Sequence, residues 1–216
     1  MPLVPLFPLD LVLLPGGEIA LHIFEPRYKA LIARVSEEPI RFCIVRVVKE
    51  GIATVGCDAS ILRVVRRYDD GRLDLKVRGH DRLQIGIVGK HADGYLEADV
   101  TLVPDEAEEG DHALEDRVEK MFREVVSLVP ALRGKIPPRA ARWSYRIADR
   151  LQLSDDRRQQ LLELNSENAR MRALGEYLKR LLPLLRRQQR AQGQVKGNGH
   201  LGPKRKKTKE KEEEGA

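Results

Sequence analysis

The chain has 216 residues, a third of them charged and 42% hydrophobic, with a formal net charge of +6. That length supports one domain or two small ones with their own core, and two cysteines without C-x-x-C spacing exclude both a disulfide scaffold and a zinc or redox pair. Seven basic residues and four glutamates lie between Lys196 and Ala216, so this tail holds +3, half of the excess, and the body is only mildly basic.

The N-terminus has no positively charged leader, and Pro8, Asp10, Pro15 and Gly16-Gly17 interrupt its apolar run, so neither a signal peptide nor a membrane span is expected and the chain reads as cytoplasmic. Residues 3–15 mix leucine and valine with prolines, the pattern of a bent edge strand. In Glu18 to Phe24, the residues Ile19, Leu21 and Ile23 share one strand face and Ala20, His22 and Phe24 the other. Pro26 then marks a helix start with Glu25 as cap, and Tyr28, Leu31, Ile32 and Val35 give that helix an apolar face to about Ser36.

Apolar runs at Arg41 to Val48 and Val55 to Val65 predict two further strands, with Cys43 and Cys57 as buried, inert thiols. A hairpin at Asp69-Asp70-Gly71 leads into a strand with Leu73, Leu75 and Val77 on one face and Asp74, Lys76 and Arg78 on the other. Gly79 is expected to open a separate strand with Leu83, Ile85 and Ile87 inward. After a second hairpin at Ala92-Asp93-Gly94, Leu96, Ala98, Val100 and Leu102 alternate with polar residues. With so many short antiparallel strands, closing the sheet or folding it over is the economical way to remove its edges.

At Pro104 the pattern changes. The acidic stretch Asp105 to Asp111 reads as a solvated loop before a helix with Leu114, Val118, Met121, Phe122, Val125 and Val129 on one face. Ala140, Trp143, Ile147 and Leu151 mark a second helix, and Ser154 with Asp155-Asp156 caps a third through Leu161, Leu162 and Leu164. The last carries Met171, Leu174, Leu178, Leu181 and Leu185, with Pro183 expected to kink or fray its end. The division is therefore residues 1–103, a β-rich unit; 104–190, a helical unit; and 191–216, a disordered mixed-charge tail.

Chemistry-bearing motifs are sparse. The sequence has no phosphate-cradling G-x-x-x-x-G-K-[ST], no G-x-G-x-x-G, no H-E-x-x-H and no G-x-S-x-G, so no catalytic, cofactor or metal residue is assigned and a non-enzyme is expected. His80-Asp81 is the most catalytic-looking pair, yet adjacent strand residues face opposite ways, which favours a solvated turn. Glu106, Glu108 and Glu109 could gather around a cation, although such loops are usually solvated linkers.

Several stretches in order, Pro5-Leu6-Phe7-Pro8-Leu9, Leu13-Leu14-Pro15-Gly16, Leu21 to Tyr28, Asp70-Gly71-Arg72 and Val77 to Arg82, resemble the Lon protease N-terminal domain family over residues 3 to 185. The resemblance implies an α+β fold, a PUA-like β-rich pseudo-barrel with one helix followed by a helical bundle. It further implies a stand-alone member without the ATPase and peptidase modules of full-length Lon. Cys57 stands where threonine is expected, a packing detail. The implied function is non-catalytic recognition of exposed apolar segments of unfolded or misfolded polypeptides, with a protease or chaperone as a further candidate partner.

Such recognition needs an exposed apolar surface rimmed by charge, or a free strand edge. His22, Phe24 and Arg27 are the candidates, because His22 and Phe24 face away from the Ile19, Leu21, Ile23 stripe and Arg27 from the buried helix face. The competing reading has Phe24 packed beneath the helices. A second function reading is RNA binding by a PUA-like fold, with weak, salt-sensitive contacts from Lys204-Arg205-Lys206-Lys207; the scarcity of aromatics counts against it.

Overall fold

Proline and glycine punctuate the first strands. In the computed structural model, which describes residues 3–38, 40–132, 134 and 136–197, β1 (Val4–Leu9) and β2 (Glu18–Ile23) are separated by the turn at Gly16, whose φ is +79°. Helix α1 (Pro26–Glu37) starts at the expected proline, with Glu25 at the N-cap position but without a side-chain cap bond. There follow β3 (Phe42–Val48), β4 (Gly51–Ile52), β5 (Val55–Arg67), β6 (Leu73–Lys90) and β7 (Leu96–Leu102).

Together these form one seven-stranded sheet in the order β1-β7-β6-β5-β3-β4, with β2 on β6. A parallel pairing of β1 with β3 closes β1, β7, β6, β5 and β3 into a ring, so the expected pseudo-barrel is present in an α+β fold. β1 is consequently no edge strand. Its first half pairs with β7 and its second with β3, overlapping at Leu6, so Pro5 and Pro8 sit where the chain has a neighbour on one side only.

β6 is one 18-residue strand and not two. Its first half lies between β2 and β5; pairing with β2 ends at Arg78, beside Gly79, and from Leu83 the strand pairs with β7, while β5 follows it only as far as Gln84. Ile87, expected inward, is 80% exposed, because the register against β7 shifts between Ile85 and Val88 and breaks the alternation. Leu102, at the end of β7, is likewise exposed.

Two apolar cores serve the sheet. Leu6, Cys43, Val45, Leu83, Ile85 and Ala98 fill one side, while Phe7, Leu21, Ile23, Leu75 and Val77 pack under Tyr28, Leu31 and Ile32 of α1. Both thiols are free and buried, and burial pushes them up and out of the reactive range.

Helices α2 (His112–Leu128), α3 (Trp143–Arg150), α4 (Asp155–Glu163) and α5 (Glu167–Gly197) share a third core of Val118, Phe122, Trp143, Ile147, Leu162, Met171 and Leu178. Ala140 lies outside α3 and is exposed, as the chain enters α3 only through Arg142 in the left-handed region, φ 58°. Ser154 makes no cap bond. Asp155 instead accepts from the Val12 N–H at 3.0 Å, and Gln159 donates to the Val55 carbonyl at 3.1 Å, fastening α4 to the sheet. α5 runs through Pro183 to Gly197, seven residues into the segment expected to be disordered. Residues 198–216, with the basic tail and its expected nucleic-acid contacts, lie outside the described residues. Among the described residues no helix is long and apolar enough to cross a membrane.

A buried ion network joins sheet to helices. Arg82, 2% exposed, donates to the Leu164 carbonyl at 2.7 Å and to Asp105 Oδ1 at 2.8 Å; Arg170, fully buried, donates to Asp105 Oδ2 at 2.6 Å. Asp105 is thus the junction of the fold and not part of a solvated loop. Burial alone would raise its carboxyl, but the Arg170 hydrogen bond and the charges of Arg170, Arg82 and Arg142 outweigh that and hold it below the ordinary range. Downstream, Glu108 Oε1 accepts from the Asn168 N–H at 2.7 Å, so this glutamate caps the start of α5.

Candidate functional site

Pairing of β2 with β6 sets His22 opposite Asp74, on the outer face of the sheet. His22 Nδ1 and Asp74 Oδ1 are 2.6 Å apart, and the Tyr68 hydroxyl donates to Asp74 Oδ2 at 2.8 Å. Those two bonds hold the Asp74 carboxyl below its usual range, and the second pushes the Tyr68 phenol up. The His22 ring stacks on Phe24 at 5.9 Å between centroids and meets the Tyr68 ring edge-on at 6.0 Å.

Phe24 is 58% exposed, so it does not pack beneath the helices. Strand alternation places it outward one residue past β2, and Pro26 starts α1 before its side chain can be covered. Arginines rim the aromatic cluster: the Arg66 and Arg72 guanidinium groups lie 4.5 and 4.9 Å from the Tyr68 ring centroid. Of the three expected site residues, the structure brings together His22 and Phe24. Arg27 is engaged elsewhere: its Nε donates to Glu25 at 2.9 Å, and its guanidinium covers Tyr28, whose ring stacks on Phe7 in the core.

Tyr68, Asp74, Arg66 and Arg72 were not identified by sequence reasoning. Alternation alone marks Asp74 only as an outward polar residue; the signal that finds it is strand register, since aligning β2 against the Leu73–Arg78 alternation puts His22 across from it. The second long edge of β2 pairs with no strand among the described residues, leaving backbone donors and acceptors beside Phe24.

Glu18, at the start of β2, accepts from Lys76 at 2.6 Å and from Arg78, and these bonds draw its carboxyl from 4.5 to about 2. A depressed carboxylate contributes stability above its ordinary value and loses it as pH falls. The midpoint of urea unfolding should therefore fall further between pH 4.5 and about 2 in the wild type than in Glu18→Gln. Parallel curves would contradict this assignment.

The His80 and Asp81 side chains do not pair. His80 Nε2 lies 2.7 Å from Ser60 Oγ, and Asp81 accepts from Arg142 at 2.9 Å, tying β6 to the entry of α3. Among the described residues, no group of three or more histidine, cysteine, aspartate or glutamate side chains is placed to hold a metal ion.

The chain is similar to the Lon N-terminal domain protein from Xanthomonas campestris, at 26% identity over 81% of this chain and 97% of that one, with a TM-score of 0.66. It also resembles the N-terminal domain of the Mycobacterium avium complex Lon protease, with a TM-score of 0.58 over 82% of this chain and 98% of that one; at 23% identity this likeness speaks for the fold alone. The sequence model of the family described as the ATP-dependent protease La (LON) substrate-binding domain matches residues 3–180, and the chain belongs to that family.

Proposed function

We propose that this protein recognises exposed apolar segments of unfolded or misfolded polypeptides without catalysing a reaction on them, and that His22 and Phe24 form part of the contact surface, with Arg27, held by Glu25 and Tyr28, at its rim. One observation carries the reading: Phe24 is largely exposed, stacked on His22, and placed at the end of an unpaired strand edge. A large aromatic held open to solvent by its own strand costs apolar hydration in the free protein, which a bound apolar side chain relieves. The β2 edge can add an extended segment by main-chain hydrogen bonds, which read no sequence, and Phe24 then selects for apolar side chains. Arg27, Arg66 and Arg72 discourage edge-to-edge association of the protein with itself and bias it toward segments lacking basic residues. Delivery of the bound chain to a protease or chaperone follows naturally from a module that holds without cutting.

The test is binding of reduced, carboxymethylated α-lactalbumin, a permanently unfolded chain, to the wild type and to Phe24→Ser. The variant should lose at least about tenfold in affinity, equivalent to ~1.4 kcal/mol, with an unchanged circular dichroism spectrum. Undiminished binding by a folded Phe24→Ser protein refutes the assignment of the surface.

A further inference from the structure

Helices α2 and α5 pack against each other through Val118, Phe122, Leu174 and Leu178. Their outer side leaves a groove of about 370 Å³ whose floor is Leu114, Val118 and Met121 of α2 and Gly175 of α5. Gly175 lies in the interior of a long helix, where glycine costs ~1 kcal/mol relative to alanine. Close packing does not demand it: a Cβ there would meet Val118 Cγ2 at 3.4 Å and Met121 Cε at 3.9 Å, ordinary contact distances. The glycine therefore keeps a notch open that a larger side chain would fill.

The rim of this groove is basic. Arg117, Lys120 and Arg172 are exposed, and among the described residues none of them has a carboxylate within 4.0 Å. The two acids beside the groove are already engaged, Asp111 Oδ1 accepting from the Leu114 N–H at 2.9 Å and Glu176 pairing with Lys179. An apolar floor between unpaired cations is complementary to a segment that carries leucine-like side chains flanked by carboxylates. Both walls are helices that satisfy their own backbone hydrogen bonds, so an extended strand would find nothing to pair with, whereas a helix brings its main chain already satisfied.

We propose that the α2–α5 groove docks an acidic amphipathic helix of a partner protein, with apolar side chains in the Gly175 notch and carboxylates on Arg117, Lys120 and Arg172. The site shares no residue with the Phe24 surface and is independent of the polypeptide-recognition reading.

The full chain is titrated, by fluorescence anisotropy, into a fluorescein-labelled, hydrocarbon-stapled helical peptide of about four turns, with leucines at i, i+3, i+4 and i+7 and glutamates beside them. A matched peptide with lysine in place of each glutamate is the comparison. The acidic peptide should bind, and raised salt should weaken it. Gly175→Leu, which blocks the notch, and the double variant Arg117→Glu with Arg172→Glu should each reduce affinity at least about tenfold, while Phe24→Ser leaves it unchanged. The charge reversals lie on exposed side chains and keep the fold, so they decide the matter even where Gly175→Leu disturbs helix packing. Absence of binding, equal binding of the lysine peptide, or indifference to the double reversal overturns the proposal. Loss in Phe24→Ser does so too, by placing the peptide on the other surface.

Discussion

Asp105→Asn should destabilise the protein by about 3–5 kcal/mol, the cost of leaving buried charge without its partner. Asp105 is the carboxylate shared by Arg82 and Arg170, which are 2% and 0% exposed, and each of its oxygens accepts from a guanidinium at 2.9 Å or less. Asparagine keeps the shape and loses the charge, so two buried cations remain with backbone carbonyls and, for Arg170, with Glu167 at 2.9 Å. Because Arg82 sits on β6, Arg170 on α5 and Asp105 on the connection from β7 to α2, the damage falls on the joint between sheet and helices. Urea unfolding should show a lower midpoint with an unchanged slope, whereas Glu106→Gln, at the exposed neighbouring position, should stay within about 0.5 kcal/mol of the wild type. The pH dependence follows the same sign: the depressed Asp105 carboxyl stabilises above its ordinary value and ceases to as pH falls, so the difference between wild type and Asp105→Asn should narrow in acid. A destabilisation below about 1 kcal/mol at neutral pH would mean that Glu167 and the carbonyls suffice to hold both arginines.

The contrast between Asp105 and Phe24 shows what a one-dimensional pattern can and cannot carry. Period-two alternation correctly put Phe24 and His22 on the face opposite Leu21 and Ile23, since strand geometry determines which way a side chain points. Whether a second layer covers that face is a tertiary fact, and only the fold shows Phe24 open to solvent. Asp105 failed for the same reason in reverse. A carboxylate in a run of acids reads as solvated, and its burial is caused by Arg82 and Arg170, 23 and 65 residues away. The helices were well marked by their apolar faces and by Pro26; at Pro183, where a kink or fraying is expected, α5 continues to Gly197, with Leu178 and Leu182 buried in the turn before it. Tyr68 and Asp74 joined the site through register, which the Asp70-Gly71 hairpin sets and which individual residue types do not reveal.

Gly79→Ala is expected to cost about 3 kcal/mol, through overpacking at a point where three segments meet. A Cβ at this position would lie 2.6 Å from the Leu14 carbonyl oxygen, 2.9 Å from Cys57 Sγ and 3.0 Å from Leu13 Cγ. The nearest of these is backbone and cannot rotate away. The approach is close because Gly79 exchanges hydrogen bonds with the turn before β2, donating to the Gly17 carbonyl and accepting from the Gly16 N–H, both at 3.0 Å. That turn aims β2, and β2 carries His22 and leads into Phe24, so the glycine positions the His22–Phe24 cluster as well as the barrel. Gly89→Ala is the control: it lies on the same strand, has no positive φ, and its Cβ would meet nothing nearer than the Glu97 carbonyl oxygen at 4.0 Å. It should be neutral or slightly stabilising, as alanine loses less backbone freedom than glycine. If lack of space is the cause, adding Cys57→Ala to Gly79→Ala removes the sulfur contact but not the Leu14 carbonyl, and recovers only part of the loss. Equal effects of Gly79→Ala and Gly89→Ala would show that the turn can yield, and that its distance from β6 is not what sets the direction of β2.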